Sequence, residues 1–266
     1  MATSAYISQN LTEHQLRFLK LLDDHEILYF ATQNIEQQLG VSFQNLNEIL
    51  ENLVHKKLLV RIEKGKFTRP QFQDVHVLAS FISGGGVAAY WTALHLHNLT
   101  ERFPNKVFIK TTRRKRNTQI AGTDVQFVTV NQSKMQGITR TGYGDNSYPL
   151  TDIECTLLDC FDQPRYAGDW PDLLKAFAHA KLNAGKLIAY AKKYNNMALC
   201  KRMGFLAELL QKNQLEEFII FAKNNTGKKY SLFETGGAEK GEFRSDWMLR
   251  LNNSERDILE MIQNTY

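Results

Sequence analysis

The chain has 266 residues, 43% of them hydrophobic, and 33 lysines and arginines stand against 28 acids. That length predicts two domains rather than one, and the mild basic excess points to an anionic partner. No apolar run approaches the ~18 residues of a membrane span, and residues 1–10 lack the basic and apolar regions of a secretory leader, so the expectation is a cytoplasmic protein with no membrane association. Cys155, Cys160 and Cys200 are odd in number and form no CxxC pair, which suits a reducing compartment and argues against a disulfide framework or a zinc site.

Thr12 is a good N-cap, and Leu16, Phe18, Leu19, Leu21 and Leu22 predict an amphipathic helix ending about Asp24. A second helix is expected from Asn34 to Leu39, stopped by Gly40, with Ser42 capping a third helix two residues later. In that third helix Leu46, Ile49, Leu50, Leu53 and Val54 make one apolar face. Gln44, Asn45, Asn47, Glu48, Glu51 and Asn52 make the other, and amide side chains of this kind read base edges by paired hydrogen bonds. Residues 58–62 read as a strand, 63–66 as a tight turn and 67–69 as the return, giving a hairpin with basic tips.

Eight acids and eight bases balance over residues 1–70, but six of the bases, Lys56, Lys57, Arg61, Lys64, Lys66 and Arg69, follow His55 with only Glu63 against them. The expectation is a winged helix-turn-helix over residues 1–73. Ser42, Gln44 and Asn45 would approach bases of double-stranded DNA, and Lys56, Lys57, Lys64, Lys66 and Arg69 would neutralise phosphates. Glu48 and Glu51 oppose phosphate contact along the helix, and a docking role for the same elements stays open.

Residues 74–266 predict a second, mixed sheet-and-helix domain, so the fold class expected for the whole chain is α+β. Residues 74–82 have helical spacing, Ser83-Gly84-Gly85-Gly86 breaks it, and residues 87–96 resume as helix. The glycines lack GxGxxG spacing, and His95 and His97 are poorly spaced for metal binding, so neither a cofactor nor a metal is expected. Alternation from Val107 to Ile138 predicts strands. Among them Lys110, Arg113, Arg114, Lys115 and Arg116 form the densest basic cluster, read either as a solvated loop or as a contact for nucleic acid or an acidic partner.

Thr151 to Glu154 reads as a capping box opening a helix through Leu157, Leu158 and Phe161, and Asp159 on that helix is expected to be partly buried with Arg165 or Arg202 as its partner. Residues 164–168 form a loop, and Asp169 caps a helix to Ala180. Further helices cover 185–194 and 197–211, strands cover 230–233 and 247–251, and Ser254 caps a last helix to Ile262.

In order along the chain, the amino-terminal segment, residues 87–95, the strand 107–113, residues 149–159, the loop 165–168, residues 202–208 and the closing 247–252 together resemble the AbiEi antitoxins of type IV toxin-antitoxin systems. Cys155 stands where that family often has a basic residue. The resemblance marks Glu154, Asp159, Arg165, Tyr166 and Arg202 as motif residues of an antitoxin domain. It implies an autorepressor that binds inverted repeats in its own promoter, as a dimer or as cooperative monomers, and counters a nucleotidyltransferase-like toxin without a stable complex. Two other readings stay open: a ligand-responsive transcription factor, and an enzyme acting on a phosphate-bearing substrate through Asp159, Glu154 and the basic cluster.

Overall fold

The computed structural model describes residues 10–263; residues 1–9, on which the expectation of no leader rests, and 264–266 lie outside the described residues. Helix takes up 47% of the chain and strand 17%, an α+β fold. The chain divides into two compact units between Leu78 and Ala79, inside the helix α4 (Val75–Ser83) rather than ahead of it.

In the first unit, α1 (Glu13–Asp24) opens on a reciprocal capping box between Thr12 and Gln15. Its inward face is Gln15, Phe18 and Leu22, at i, i+3 and i+7, whereas Leu16, expected inside, is 53% exposed. β1 (Tyr29–Ala31) follows, then α2 (Thr32–Leu39), which ends where Gly40 takes φ +64° without the penalty a Cβ would bring. α3 (Leu46–His55) begins later than Ser42 would allow as its cap: the N-cap is Asn45, in the left-handed region, and no side chain closes that end. The Phe43 amide donates instead to the Glu36 carboxylate at 2.6 Å, which fixes the turn between the helices.

β2 (Val60–Glu63) and β3 (Lys66–Thr68) form the expected hairpin, and β1 adds an antiparallel strand on its far side, giving the order β1-β3-β2 with Phe30 opposite Phe67. Phe18, Leu22, Phe30, Ile35, Leu50, Leu53 and Phe67 close the core from all three helices and the sheet. The amide and the hydroxyl of Thr32 both donate to the Gly65 carbonyl, so the hairpin turn is tied to the start of α2.

The second unit centres on a six-stranded mixed sheet of β4 (Val87–Ala88), β5 (Val107–Thr111), β6 (Thr118–Ile120), β7 (Thr123–Thr129), β8 (Ile138–Thr141) and β9 (Tyr148–Thr151), in the order β6-β7-β5-β4-β9-β8. Residues 87–96, expected as one helix, divide into β4 and α5 (Tyr90–Leu96), because Val87 and Ala88 pair with β5 and Ala88 also pairs with β9. Tyr90 turns the corner at φ 56°, a conformation that a bulky residue holds only when its surroundings demand it, and it is buried to 1% exposure.

α6 (Ile153–Asp162) is buried on every side from Glu154 to Phe161, which makes it the central helix. Its N-cap is Asp152, whose carboxylate accepts from the Cys155 amide at 2.9 Å. Thr151, expected in that role, ends β9 and exchanges its hydroxyl hydrogen bond with Thr156. α7 (Trp170–His179), α8 (Ala184–Tyr194) and α9 (Met197–Leu209) open on the side-chain caps Asp169, Asn183 and Asn196. α10 (Glu216–Asn224) packs on α9, and α11 (Glu255–Gln263) follows the Ser254 cap.

A second sheet, β10 (Ser231–Leu232), β12 (Leu249–Leu251) and β11 (Glu242–Arg244), lies toward the end of the chain with β12 in the middle. Phe161, Phe177, Phe205 and Trp247 are almost fully buried in this unit, each contributing roughly 1.5–3 kcal/mol by leaving water. No helix among the described residues is long and apolar enough to cross a membrane.

Candidate functional site

On the first unit, the polar side of α3 and its approach face outward as expected: Ser42, Gln44, Asn45, Asn47, Glu48 and Glu51 are exposed. The bases beyond α3 fare differently. Lys56 donates to the Asn10 carbonyl at 2.6 Å and to the Gln15 side chain at 2.8 Å, Lys66 pairs with Glu63 at 3.1 Å, and Arg69 pairs with Asp23 at 2.9 Å. Lys57 and Lys64 are exposed and have no ion-pair partner among the described residues. Arg61 pairs with Glu51, which neutralises one of the two carboxylates on the exposed face of α3.

The basic cluster of the second unit separates into two environments. Arg113, Arg114 and Arg116 are exposed on the β5–β6 loop, and the Lys115 ammonium lies 5.5 Å over the Phe127 ring. Lys110 does not belong with them. Every residue of β5 is buried, and Lys110, at 0% exposure, points its ammonium to the Asp159 carboxylate at 2.5 Å, the Lys134 carbonyl at 3.1 Å and the Cys155 thiol at 3.4 Å. All three ammonium donors are thereby used.

Asp159 is consequently held by Lys110 and by the Tyr194 hydroxyl, not by Arg165 or Arg202. Burial pushes the Asp159 carboxyl up, against the pull of the Lys110 charge. Burial is the largest influence on the Lys110 ammonium and works against it, but the Asp159 charge, the Cys155 thiol and the hydrogen bonds to both together outweigh it, and its pKa rises. The Cys155 thiol is pushed up to about 12, by burial first and the Asp159 charge second, and so carries no thiolate at neutral pH. A sealed ion pair with every donor and acceptor engaged suits a structural role, since reactants have no path to it.

The other motif residues lie apart. Glu154 accepts from the Asn183 amide at 2.9 Å and pairs with Lys186, fixing the start of α8. Arg165 stacks at 4.8 Å over the Tyr166 ring, and Tyr166 packs edge-on against Tyr90. Arg202 donates to the Leu232 carbonyl, and burial lowers its pKa. Glu154, Asp159 and the exposed arginines thus do not converge on one substrate position. Among the described residues no group of three histidines, cysteines or acids could hold a metal ion.

A cleft of about 720 Å³ opens next to the buried cluster, and sequence reading missed it. Its walls are Asn131 and Lys134, the turn from α8 to α9 with Asn196, and the segment from Thr226 to Ser231 that carries Lys228 and Lys229, with Lys201 of α9 behind. Lys134 pairs with Asp162 at 2.5 Å and lies 5.4 Å over the Tyr194 ring. The Lys201 ammonium, on a residue only 2% exposed, donates to the Lys229 and Met248 carbonyls. These side chains come from three segments spread over a hundred residues, and no local spacing links them.

No family model and no curated protein matches the chain. Among solved structures it is similar to the RV2827C protein from Mycobacterium tuberculosis, at 15% identity with a TM-score of 0.64, and the match covers 99% of each chain. The two proteins share a fold from end to end.

Proposed function

We propose that the chain is a cytoplasmic winged-helix regulator that binds double-stranded DNA at inverted repeats in its own promoter and serves as the antitoxin of a type IV toxin-antitoxin system. The observation that carries the DNA reading is the set of exposed amides at the start of α3, Gln44 and Asn45 just ahead of the helix and Asn47 in its first turn, in a unit that also holds a hairpin with an exposed turn lysine. The order helix, strand, helix, helix, strand, strand with a three-stranded antiparallel sheet supports the winged-helix reading. The Glu51–Arg61 pair supports the reading further, because it removes a carboxylate charge from the face that would approach phosphates.

Phosphate contacts narrow to Lys57 and Lys64, since Lys56, Lys66 and Arg69 already have partners. The antitoxin role rests on the resemblance of the second unit's segments to the AbiEi family. Its target would be a nucleotidyltransferase-like toxin opposed without a stable complex, with two copies of the chain meeting on the DNA.

The test is an anisotropy titration against the chain's own upstream duplex and a scrambled control at two salt concentrations. Specific, salt-weakened binding is expected, and Lys57→Ala with Lys64→Ala should lower the salt slope by about 1.8, at roughly 0.9 for each phosphate no longer neutralised. Equal affinity for both duplexes would refute the DNA reading. Co-expression with the neighbouring toxin gene, scored by growth rescue, tests the antitoxin role separately.

A further inference from the structure

The cleft beside α9 poses a physical question that the DNA reading of the first unit leaves untouched. Four lysines, Lys134, Lys201, Lys228 and Lys229, line it, and no aspartate or glutamate does among the described residues. Lys134 alone has a carboxylate, Asp162, which also accepts from the Asn196 amide at 2.9 Å. Lys228 and Lys229 are exposed without an ion-pair partner among the described residues. Lys201 is the more telling case. A buried ammonium is normally matched by a carboxylate, because carbonyl dipoles alone repay little of the lost hydration. Here two carbonyls are its only partners among the described residues, burial and the neighbouring Arg202 charge lower its pKa, and one of its three donors is left over.

Such a site lacks negative charge, and the cleft's size falls within the range of small-molecule sites. We propose that this cleft binds a small phosphorylated ligand carrying two or more phosphate groups. One phosphate would sit against Lys201, and a second would lie toward Lys228 and Lys229. Met197 and Ala198, the first residues of the 13-residue α9, line the same space, so the positive end of that helix adds to the lysine field. Asn131 and Asn196 supply neutral polar groups at the rim. A ligand held there touches the α8–α9 turn beside Tyr194, whose hydroxyl reaches the Asp159 carboxylate, so an occupied cleft would bear on the buried cluster at the centre of the unit.

The experiment is calorimetric titration of the full chain with pyrophosphate, ATP and adenosine. Saturable binding of pyrophosphate and ATP is expected, with none for adenosine. Replacing both Lys228 and Lys229 by glutamate should weaken it by about a hundredfold, since each charged hydrogen bond counts for roughly tenfold, and both positions are exposed, so the fold should hold. Lys201→Met should abolish binding, and where that variant fails to fold the double glutamate variant decides. A Lys57→Ala, Lys64→Ala chain should bind as the parent does. The proposal is overturned if pyrophosphate and ATP give no saturable heat, if adenosine binds equally well, or if the weakening follows Lys57 and Lys64 instead of the cleft lysines.

Discussion

In the first unit the ion pairs Arg61–Glu51, Lys66–Glu63 and Arg69–Asp23 lie at the surface, each with at least one partner more than a third exposed. In the second, Lys110 and Asp159 meet at 0% and 1% exposure, and Lys201 and Lys212 are inside as well. Water screens the first group, so each pair contributes little to stability. The second group has no such screening, and its geometry decides whether the core holds together. These surface pairs of the first unit leave its core uncharged, whereas the Lys110–Asp159 pair orders the interior of the second.

The strongest way to break that contrast is to remove one half of the buried pair. Lys110→Met should destabilise the second unit by about 3–5 kcal/mol, because Asp159 is left buried without its counter-ion. The double change Lys110→Met, Asp159→Leu should recover most of that stability. Trp91, Trp170 and Trp247 are the only tryptophans and all lie in this unit, so denaturant unfolding followed by tryptophan fluorescence reads it directly. A decrease of less than about 1 kcal/mol in the single variant would mean that the pair is not sealed from water.

An intermediate effect is expected at Gly204 of α9, where an added Cβ would stand 2.6 Å from the Ala222 Cβ and from the Trp247 ring. Gly204→Ala should cost about 1–3 kcal/mol through overpacking, read in the same unfolding experiment. An unchanged midpoint would show that α10 and Trp247 yield without penalty. The smallest effect belongs to the exposed pair of the first unit. Glu51→Gln should change stability by about 1 kcal/mol at most, measured by thermal unfolding followed by circular dichroism. A larger decrease would place Glu51 in a network that the exposed geometry does not reveal, and would blur the contrast between the two units.

What the sequence disclosed follows the same division. Caps and periodicity placed α1, α2, α3 and the hairpin, since each is a local pattern of apolar spacing ended by Gly40 or a turn. Caps at Asp169 and Ser254 also placed α7 and α11, while α8 and α9 were placed as helices without the Asn183 and Asn196 caps on which they open. The helix α10 and several short strands were missed, and one helix face was misassigned. β1, β4, β9 and β11 are two to four residues long, too short to alternate, and β9 contains Pro149, which reads against a strand inside a sheet. Leu16 was placed inward because it fits a helical repeat, yet Gln15 takes that face by joining the capping box.

The site was harder to read for a different reason. Lys110 stands three residues before Arg113, and a run of bases looks like one solvated surface. Only the long-range contact with Asp159, 49 positions away, separates it from that run. The lysines of the cleft are dispersed in the same way, so their convergence is a property of the fold and not of any window of sequence.

The bond from Thr32 to the Gly65 carbonyl has a thermodynamic meaning for whatever docks on the first unit. A hairpin tip anchored to a helix start cannot sweep through space and settle when a partner arrives; its shape exists beforehand. Association at this face would then proceed with little loss of chain freedom, and its heat-capacity change would reflect the surface covered with almost nothing added for folding. A nucleic acid, being the more pliable member, would have to supply whatever bending the match requires.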